Sequence, residues 1–434
     1  MKYFSPSILI GILCTLILSC SENEQSTDDS LPEQQIEIAK IQSYSKNLGY
    51  TGDIIEINGT NFIEDSDKVS VLFDGTNSEI IALSNTTIKV KLPLVENGIP
   101  DLEINMEGRQ IAFEVANDYS GNIGILAKIP GKWAFTRTEN SFNETIWTSQ
   151  LVTPERIYYG AIRVNNTTIR SVERSLDGGL TFERWVYQGF TNAFHATPTD
   201  EGWAESLKLL KIPAGGSVDG NDEIIFGEID DVNGGIAAMS VSDDLQNGLF
   251  VSGNKKVFQT KDGENFDVIY DPNYEYLTIR TGFRLDDDHF WAGGGNVSYG
   301  IKPSILFTHN GGVTWHDLEL DFNESTTVYK IQFLDPNNGY MLTFRDINSP
   351  FRLRKTIDGG FTWQTVETLL PNTNFVFLDT SVGYSFLDNI IFKTTDGGVT
   401  WNKDIEAEGK IRRIDIKDNI VIAKIENGML RYFL

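Results

Sequence analysis

One short motif occurs five times in the chain, and it constrains the fold more than any other feature. Its full form is Ser or Thr, any residue, Asp, Gly, Gly, any residue, Thr and an aromatic residue. The copies read SLDGGLTF, TKDGENF, THNGGVTW, TIDGGFTW and TTDGGVTW, with the aspartate, or the asparagine in its place, at positions 177, 262, 310, 358 and 396. The spacings of 85, 48, 48 and 38 residues indicate stacked repeat units. The first spacing is about two units long, so a unit with a degenerate turn is predicted between Gln188 and Asp231.

The repeat units share an internal pattern as well as a turn. The segment VYKIQFLDPNNGYMLTF, ahead of the turn at 358, aligns with NFVFLDTSVGYSFLDNIIFK, ahead of the turn at 396. Both read as strand, tight turn, strand, turn, strand, Asp turn, strand. Four short antiparallel strands per unit predict an all-β fold with a β-propeller. Residues 131–434 are 304 residues, about 43 for each of seven blades, with six or eight blades as alternatives.

The two ends of the predicted propeller complement each other. The C-terminal segment KIRRIDIKDNIVIAKIENGMLRYFL supplies three strands but no Asp turn and no fourth strand. GKWAFTRTE, at 131–139, reads as an orphan fourth strand. We therefore predict that the two segments pair, which closes the ring and removes an exposed sheet edge.

The chemistry of the turn is that of a structural element. An aspartate carboxylate accepts hydrogen bonds from amides of its own loop, and the glycines allow positive φ. The motif resembles the Asp-box of the BNR repeat family, and that resemblance implies a place on the outer rim, remote from the channel, without a catalytic role. The residues predicted to build these turns are Asp177, Gly179, Thr181, Phe182, Asp262, Phe266, Asn310, Gly312, Thr314, Trp315, Asp358, Gly360, Thr362, Trp363, Asp396, Gly398, Thr400 and Trp401.

The N-terminus predicts a lipid-anchored envelope protein. An apolar run, ILIGILCTLIL, follows Lys2 and ends in ILSC, which resembles a bacterial lipobox. That resemblance implies a signal peptide over residues 1–19, cleavage before Cys20, and acylation of Cys20. The acidic, polar residues 20–35 are predicted to be a disordered tether, and they resemble the surface-export signals of Bacteroidetes lipoproteins. The expected location is the outer membrane, with the protein exposed at the cell surface.

Residues 36–117 are predicted to form a small immunoglobulin-like sandwich, followed by a linker over 118–130. Period-two strands such as DIIEING, KVSVLFDG and TTIKVKLP alternate with glycine-containing turns. The stretches GYTGDIIEINGTNF, VSVLFDG and TTIKVKLP resemble the IPT/TIG family, which implies a spacer or binding module without catalytic residues.

The function class is predicted from what the propeller carries and what it lacks. The pattern G-Y…K-T-x-D-G-G-x-T-W resembles the photosystem II assembly factor propellers, which implies a non-catalytic protein binder. A sialidase-like glycoside hydrolase is the alternative, although no early Phe-Arg-Ile-Pro motif occurs. Arginines suited to a carboxylate stand at 280, 284, 345, 412 and 413, but they form no complete set in the sequence. The net charge of −25 argues against a nucleic-acid partner.

The ligand, a protein or a glycan, is expected on the propeller face around the central channel. The residues predicted to bind it are Tyr274, Tyr276, Arg280, Trp291 and Tyr299, with Trp203 nearby; the alternative is that each aromatic packs between blades. No cofactor is expected: His195, His289, His309 and His316 lack metal-ligand spacing. The acidic turns in RLDDDHFW and GEIDDVNGG are read as solvated, with a structural Ca²⁺ as the alternative.

Overall fold

The computed structural model of the chain describes residues 39–111, 123–139, 145–164, 168–186, 193–206, 208–216, 224–225, 235–296, 299–322, 326–345, 351–369 and 374–434. Within these ranges the chain forms 38 β-strands and one short 3-10 turn, at Ser66–Lys68. The all-β prediction is confirmed. The predicted signal peptide, the Cys20 anchor and the tether lie outside the described residues. No helix among the residues described has the length and apolar character needed to cross a bilayer.

The first domain is a two-sheet sandwich. Its strands are β1 (Lys40–Tyr44), β2 (Leu48–Tyr50), β3 (Ile54–Thr60), β4 (Val69–Phe73), β5 (Thr76–Asn77), β6 (Glu79–Leu83), β7 (Thr87–Lys91), β8 (Leu102–Met106) and β9 (Arg109–Gln110). One sheet has the order β1-β3-β7-β6, and the other has the order β5-β4-β8-β9. Alternate residues are buried in β4 and β8, because successive side chains of a strand point to opposite faces. Ile55, Ile57, Val71, Phe73 and Ile104 pack between the sheets.

The connection into the second domain keeps contact with the sandwich. Strand β10 (Gly124–Leu126) pairs in parallel with β2, and β11 (Trp133–Arg137) follows it. The chain therefore leaves the sandwich as a hydrogen-bonded strand.

Seven four-stranded antiparallel sheets follow within the described residues. Blade 1 holds β12 (Thr145–Leu151), β13 (Ile157–Val164), β14 (Thr168–Ser175) and β15 (Glu183–Val186); blade 2 holds β16 (Phe194–Ala196), β17 (Gly202–Ser206), β18 (Lys208–Ile212) and β19 (Ile224–Ile225). Blade 3 holds β20 (Ile236–Val241), β21 (Gly248–Ser252), β22 (Val257–Thr260) and β23 (Asp267–Tyr270); blade 4 holds β24 (Ile279–Arg284), β25 (Phe290–Asn296), β26 (Ile301–Thr308) and β27 (His316–Glu319). Blade 5 holds β28 (Thr327–Phe333), β29 (Gly339–Phe344), β30 (Arg352–Thr356) and β31 (Gln364–Leu369); blade 6 holds β32 (Phe375–Phe377), β33 (Gly383–Leu387), β34 (Ile390–Thr394) and β35 (Asn402–Glu406). Blade 7 holds β36 (Ile411–Lys417), β37 (Ile420–Ile425), β38 (Gly428–Phe433) and, out of chain order, β11.

Apolar side chains hold each blade to the next one. Every neighbouring pair of blades around the ring shares one buried cluster. In two of these clusters, a second-strand aromatic stacks on the first strand of the following blade: Trp291 on Phe333 and Tyr340 on Phe377, with ring centroids 3.6 and 3.7 Å apart. Such stacked pairs add to the free energy of burial, so blade packing is the main source of propeller stability.

The ring closes as the sequence predicts. Strand β11 pairs with β38 over five residues, from Trp133 opposite Tyr432 to Arg137 opposite Gly428. Ile422 and Met429 of blade 7 pack with Tyr159 of blade 1. Blade 7 therefore takes its outer strand from the start of the propeller sequence. The degenerate unit expected between Gln188 and Asp231 is blade 2, whose third turn lies partly outside the described residues.

Each Asp turn connects the third strand of a blade to the fourth, in blades 1, 3, 4, 5 and 6. In blade 6 the Asp396 carboxylate accepts hydrogen bonds from the Thr394 hydroxyl at 2.8 Å and from the Thr400 amide and hydroxyl at 2.9 and 2.6 Å. These bonds, above all the one from the Thr400 hydroxyl, lower the pKa of Asp396 to about 2. Gly397 and Gly398 have φ of 72° and 92°, which side chains rarely adopt. Thus the turn satisfies its own polar groups.

Candidate functional site

The sandwich packs along the outer strand of blade 7, where Asn97 bridges to Arg137, and against the Asp-turn side of blade 1. Strands alternate in direction, so in every blade the first-to-second and third-to-fourth connections lie on the same side, which we call the Asp-turn face. The Tyr50 hydroxyl donates to Glu155 Oε1 at 2.5 Å, in the first connection of blade 1. The Tyr50 ring meets Phe433 edge-on, with centroids 5.5 Å apart. The first sandwich contacts are therefore made with blades 1 and 7.

One Asp turn is part of this interface. Leu180, in the turn of blade 1, is 1% exposed. A Cβ added at Gly98 would lie 2.1 Å from its side chain and 2.9 Å from the Arg137 carbonyl oxygen, so glycine at this position allows the turn to pack closely. The equivalent Val313 and Val399, in blades 4 and 6, are 82% and 53% exposed. The Asp turn of blade 1 has the same internal hydrogen bonds as the turns of the other blades. It differs from them in that the sandwich packs against it.

A buried arginine supports the docked turn. Arg431 of β38 is fully buried and donates to the Gly178 carbonyl. Burial lowers the pKa of Arg431, and the nearby Tyr50, Tyr159 and Glu155 oppose that shift. The same side chain therefore contacts the blade 1 turn from blade 7 and lies beside the sandwich.

The opposite face carries the mouth of the central channel. Five of the seven inner strands contain a β-bulge near their start, on this face. A bulge leaves one residue out of the ladder and redirects its side chain. The bulged residues are Trp147, Ala237, Arg280, Tyr329 and Arg412. The bulged position is thus equivalent from blade to blade, but the side chains that it places around the channel mouth differ.

A hydrogen-bonded cluster lies directly below the mouth. Lys330 Nζ donates to Asn374 Oδ1 at 2.9 Å and to the Phe375 carbonyl at 2.6 Å. Arg413 donates to Ser149 Oγ at 2.9 Å, and Ser149 donates to Asp415 at 2.7 Å. Burial lowers the pKa of Lys330 to about 7; Arg413 adds to this shift and Asp415 opposes it.

The channel is cationic in an otherwise acidic protein. The chain has 36 Lys and Arg residues against 61 Asp and Glu residues. The seven inner strands reverse this balance: they hold six Lys or Arg residues and one carboxylate, Asp415. The six are Arg280, Arg284, Lys330, Arg412, Arg413 and Lys417. Channel walls focus such charge on whatever enters.

Three of the predicted ligand-binding residues lie together on the same face. Tyr274 and Tyr276 are in the connection from blade 3 to blade 4, and Tyr299 is in the second-to-third connection of blade 4. Their ring centroids are 6.1 and 6.2 Å apart in the order Tyr274, Tyr276, Tyr299. Tyr276 and Tyr299 are 47% and 72% exposed. We call these three residues the tyrosine cluster.

Charged groups border the tyrosine cluster. Lys255 Nζ lies 5.0 Å from the Tyr274 ring centroid and 2.7 Å from Asp317. Desolvation raises the pKa of Tyr274, and Asp317 and Glu319 raise it further. Two ion pairs, Lys255–Asp317 and Lys302–Glu319, therefore border the cluster, and its loop leads into the inner strand that contains Arg280.

The other candidates lie elsewhere. Trp291 has no exposed surface: it stacks on Phe333, and its indole nitrogen donates to the Gly359 carbonyl at 2.8 Å. The binding role expected for Trp291 is therefore corrected to packing between blades 4 and 5. Trp203 is also buried, beside Phe250. Both residues belong to second strands of their blades. There the sequence pattern does not show whether an aromatic residue lies beside a loop or in the core.

The arginines named from the sequence separate into two groups. Arg280, Arg412 and Arg413 are at the channel mouth, and the exposed Arg345 follows β29 on the same face. Arg284 is at the far end of β24 and pairs with Asp287, beside a polar cleft on the Asp-turn face. The sequence did not single out Lys330 or Tyr329; the bulges that place them have no local signature.

Three of the four histidines come together on the Asp-turn face of blade 4. The His289 and His309 ring centroids are 5.4 Å apart, and those of His309 and His316 are 6.5 Å apart. His289 Nδ1 lies 2.7 Å from Asp286, and His309 Nε2 donates to the Gly359 carbonyl at 3.1 Å. Among the residues described, no group of three His, Cys, Asp or Glu side chains is arranged for a metal ion. Most of GEIDDVNGG lies outside the described ranges.

Comparison with known proteins identifies the first domain. Residues 39–120 match the model of the IPT/TIG domain family. The chain is also 46% identical over 57 residues to a cyclomaltodextrin glucanotransferase from Bacillus sp. (strain 1-1). That match spans 13% of the chain and 8% of the relative's own length.

The solved structures that resemble the chain are diverse. YCF48 bound to D1 peptide is 14% identical, with 71% of this chain and 100% of that chain covered and a TM-score of 0.49. The GH74 xyloglucanase from Xanthomonas campestris is 11% identical, with 65% of this chain and 51% of that chain covered and a TM-score of 0.46. A fold does not by itself set a function, so the function has to be argued from the site.

Proposed function

We propose that the protein is a non-catalytic lipoprotein of the cell envelope whose propeller binds a protein or glycan ligand on the face opposite the Asp turns. The observation that carries the proposal is that the two faces of the propeller differ in what they present to solvent. The sandwich covers part of the Asp-turn face, through Tyr50 and Leu180. The exposed tyrosine cluster lies on the other face, where Arg280, Lys330 and Arg412 stand near the starts of their inner strands. In this proposal the sandwich is a spacer between the lipid anchor and the propeller.

The composition of the channel favours binding over glycoside hydrolysis. Most such enzymes place two carboxyl groups on either side of the scissile bond. The inner strands hold Asp415 as their one carboxylate, and it accepts hydrogen bonds from Ser149 at 2.7 Å and Arg413 at 3.3 Å. A carboxylate that accepts these two hydrogen bonds is suited to positioning Arg413.

The binding proposal is tested on purified protein from residue 21 onward. A cell-surface glycan array and a pull-down from envelope extract should each be run on the parent and on a Tyr276→Ala, Tyr299→Ala double variant. The matched control replaces Val313 and Val399, exposed on the Asp-turn face, by alanine. We expect a retained ligand whose capture is lost in the tyrosine variant and kept in the control. No glycan and no partner retained by the parent would end the proposal.

The envelope location is tested separately. In the intact cell, Cys20→Ser should abolish incorporation of labelled fatty acid and release the protein from the membrane fraction. Protease added to whole cells should degrade a surface-exposed parent. Normal labelling of the Cys20→Ser protein would exclude the anchor.

A sialidase-like glycoside hydrolase remains the second candidate because of one observation. Arg280, Arg412 and Arg413 all stand near the starts of inner strands, on the same face of the propeller, and guanidinium groups suit a carboxylate-bearing sugar. Turnover of a fluorogenic sialoside by the purified protein, abolished in Arg413→Met, would favour the hydrolase over the binder.

A further inference from the structure

We propose that the polar cleft between blades 3 and 4, on the Asp-turn face, binds one neutral sugar unit through its hydroxyl groups. This site is separate from the face named in the proposed function, and the inference goes beyond that function. The cleft has a volume of about 240 Å³. The polar side chains that line it are Ser240, Ser242, Asn247, Gln259, Arg284 and Asp287.

Hydrogen bonds within the chain hold the two walls of the cleft in place. On the blade 4 side, the Gly311 amide, in the Asp turn, donates to the Asp288 carbonyl at 3.0 Å. On the blade 3 side, the Asn247 amide donates to Ser242 Oγ, also at 3.0 Å. A site whose walls are fixed before the ligand arrives loses less conformational entropy on binding.

The polar side chains in the cleft have hydrogen-bonding capacity that the described part of the chain does not use. Arg284 pairs with Asp287 through one nitrogen, which leaves its other donors available. Gln259 Nε2 makes only a long contact, 3.5 Å, with the Gly311 carbonyl. Ser240 is 7% exposed, so its hydroxyl group reaches solvent mainly through the cleft. A ligand that enters gains by satisfying these groups.

The charges around the cleft favour a neutral ligand. Arg284 and Asp287 neutralise each other in their ion pair. Desolvation, and then the nearby Arg284, lower the pKa of His195 to about 4, so this imidazole is neutral near pH 7. The exposed Asp243 and Asp288, in the neighbouring connections, repel an anion from the rim. Arg284 in the lining disfavours a cation in the same way.

The chemistry of the lining matches the hydroxyl groups of a sugar. Amide and hydroxyl side chains such as Gln259 and Ser240 both donate and accept, and a sugar hydroxyl does the same. The paired Arg284 and Asp287 present donors beside acceptors, so adjacent hydroxyls of one ring can accept from one and donate to the other. The cleft is smaller than the roughly 300–1,000 Å³ of pockets that enclose larger ligands, so one ring rather than a chain fits inside.

The inference is tested by ligand-observed NMR titration of the protein from residue 21 onward. The neutral probes are the methyl glycosides of glucose, galactose and mannose. The methyl glycoside of glucuronic acid is the anionic probe, and alanine is a zwitterionic probe that could meet Arg284 and Asp287 separately. We expect at least one neutral glycoside to bind with a Kd of about 1 mM, as a few hydrogen bonds predict, and the other two probes to bind more weakly.

The variants assign the binding to the cleft. Gln259→Leu should weaken binding of the neutral glycoside about fivefold, because one hydrogen bond to the sugar is lost. Gln364→Leu, which replaces an exposed glutamine in the outer strand of blade 5, is the matched control and should leave the affinity unchanged. Asn247→Ala, at an exposed position, should also weaken binding and keeps the test informative if Gln259→Leu fails to fold.

Three results would overturn the inference. The first is that no neutral glycoside binds, and the second is that the anionic or the zwitterionic probe binds more tightly than every neutral one. The third is that binding is kept in Gln259→Leu and Asn247→Ala but lost in the Tyr276→Ala, Tyr299→Ala double variant. That last result would place the sugar on the tyrosine cluster, so it would remove this inference and support the proposed function.

Discussion

The two faces of the propeller use the same repeat in opposite ways. On the Asp-turn face, the same side chains recur from blade to blade and hydrogen-bond within their own turn, as Asp358 does with Thr356 and Thr362. On the other face, the bulged position recurs but its side chain is Trp147, Arg280 or Tyr329. Repetition of residues marks a structural part, and variation at a repeated backbone position marks a surface available for recognition.

The largest effect expected from this comparison is on folding. Trp291 is buried and donates a hydrogen bond to the Gly359 carbonyl in an Asp turn, whereas Tyr299 is exposed on the other face. Trp291→Ala should lower the free energy of unfolding by about 3–5 kcal/mol, because it removes a fully buried ring. Tyr299→Ala should change it by about 0.5 kcal/mol or less. Urea unfolding of both variants measures this, and similar losses would contradict the division.

The docked turn provides a second pair. Leu180→Ala should cost about 2–3 kcal/mol of unfolding free energy, whereas Val399→Ala, at the equivalent exposed position, should cost about 0.5 kcal/mol or less. If calorimetry shows equal midpoints for the two variants, the interface between sandwich and propeller contributes little to stability.

A smaller loss is expected from the turn itself. Asp358→Ala removes the acceptor of the Thr356 hydroxyl and of the Thr362 amide and hydroxyl. Most of this carboxylate is solvated, so the loss should be about 1 kcal/mol in unfolding free energy. Ligand affinity should not change. A loss of binding without loss of stability would place function in the turns.

The smallest effect is a pH dependence of ligand binding. Lys330 has a pKa lowered to about 7 by burial, with Arg413 adding to the shift and Asp415 opposing it. Since the protonated amine attracts negative charge, the affinity of an anionic ligand for the face opposite the Asp turns should be full well below pH 7 and fall a few-fold as the pH rises to 8. Lys330→Met should remove this dependence. Lys403→Met, which removes an exposed cation from the outer strand of blade 6, is the control and should leave the dependence unchanged.

Local chemistry explains what the sequence predicts well. The turn motif and its spacing predict the blades, and the orphan strand at 131–139 predicts the closure through β38. Both depend on hydrogen bonds and strand patterns that are written in consecutive residues. The sandwich is predicted for the same reason, and its family match extends over residues 39–120.

The candidate site is predicted only in part, because it depends on contacts between distant residues. Tyr274, Tyr276 and Tyr299 do lie together, but Trp291 is buried, since an aromatic in a central strand follows the same pattern in a core and beside a loop. Lys330 and the docking of Leu180 depend on bulges and on a partner domain. Neither has a signature in neighbouring residues.

The pairing of β11 with β38 has a consequence for how the molecule is made. On the ribosome, β11 emerges before any blade, yet its hydrogen-bonding partner is translated only after six complete blades. Until β38 is made, β11 has no hydrogen-bonded neighbour, and Phe433 is not yet available to pack against Tyr50. The ring of blades and the surface on which the sandwich docks are therefore completed together, late in synthesis. An interrupted translation product lacks both, and the cell's proteases can recognise it by the sheet edge that it still exposes.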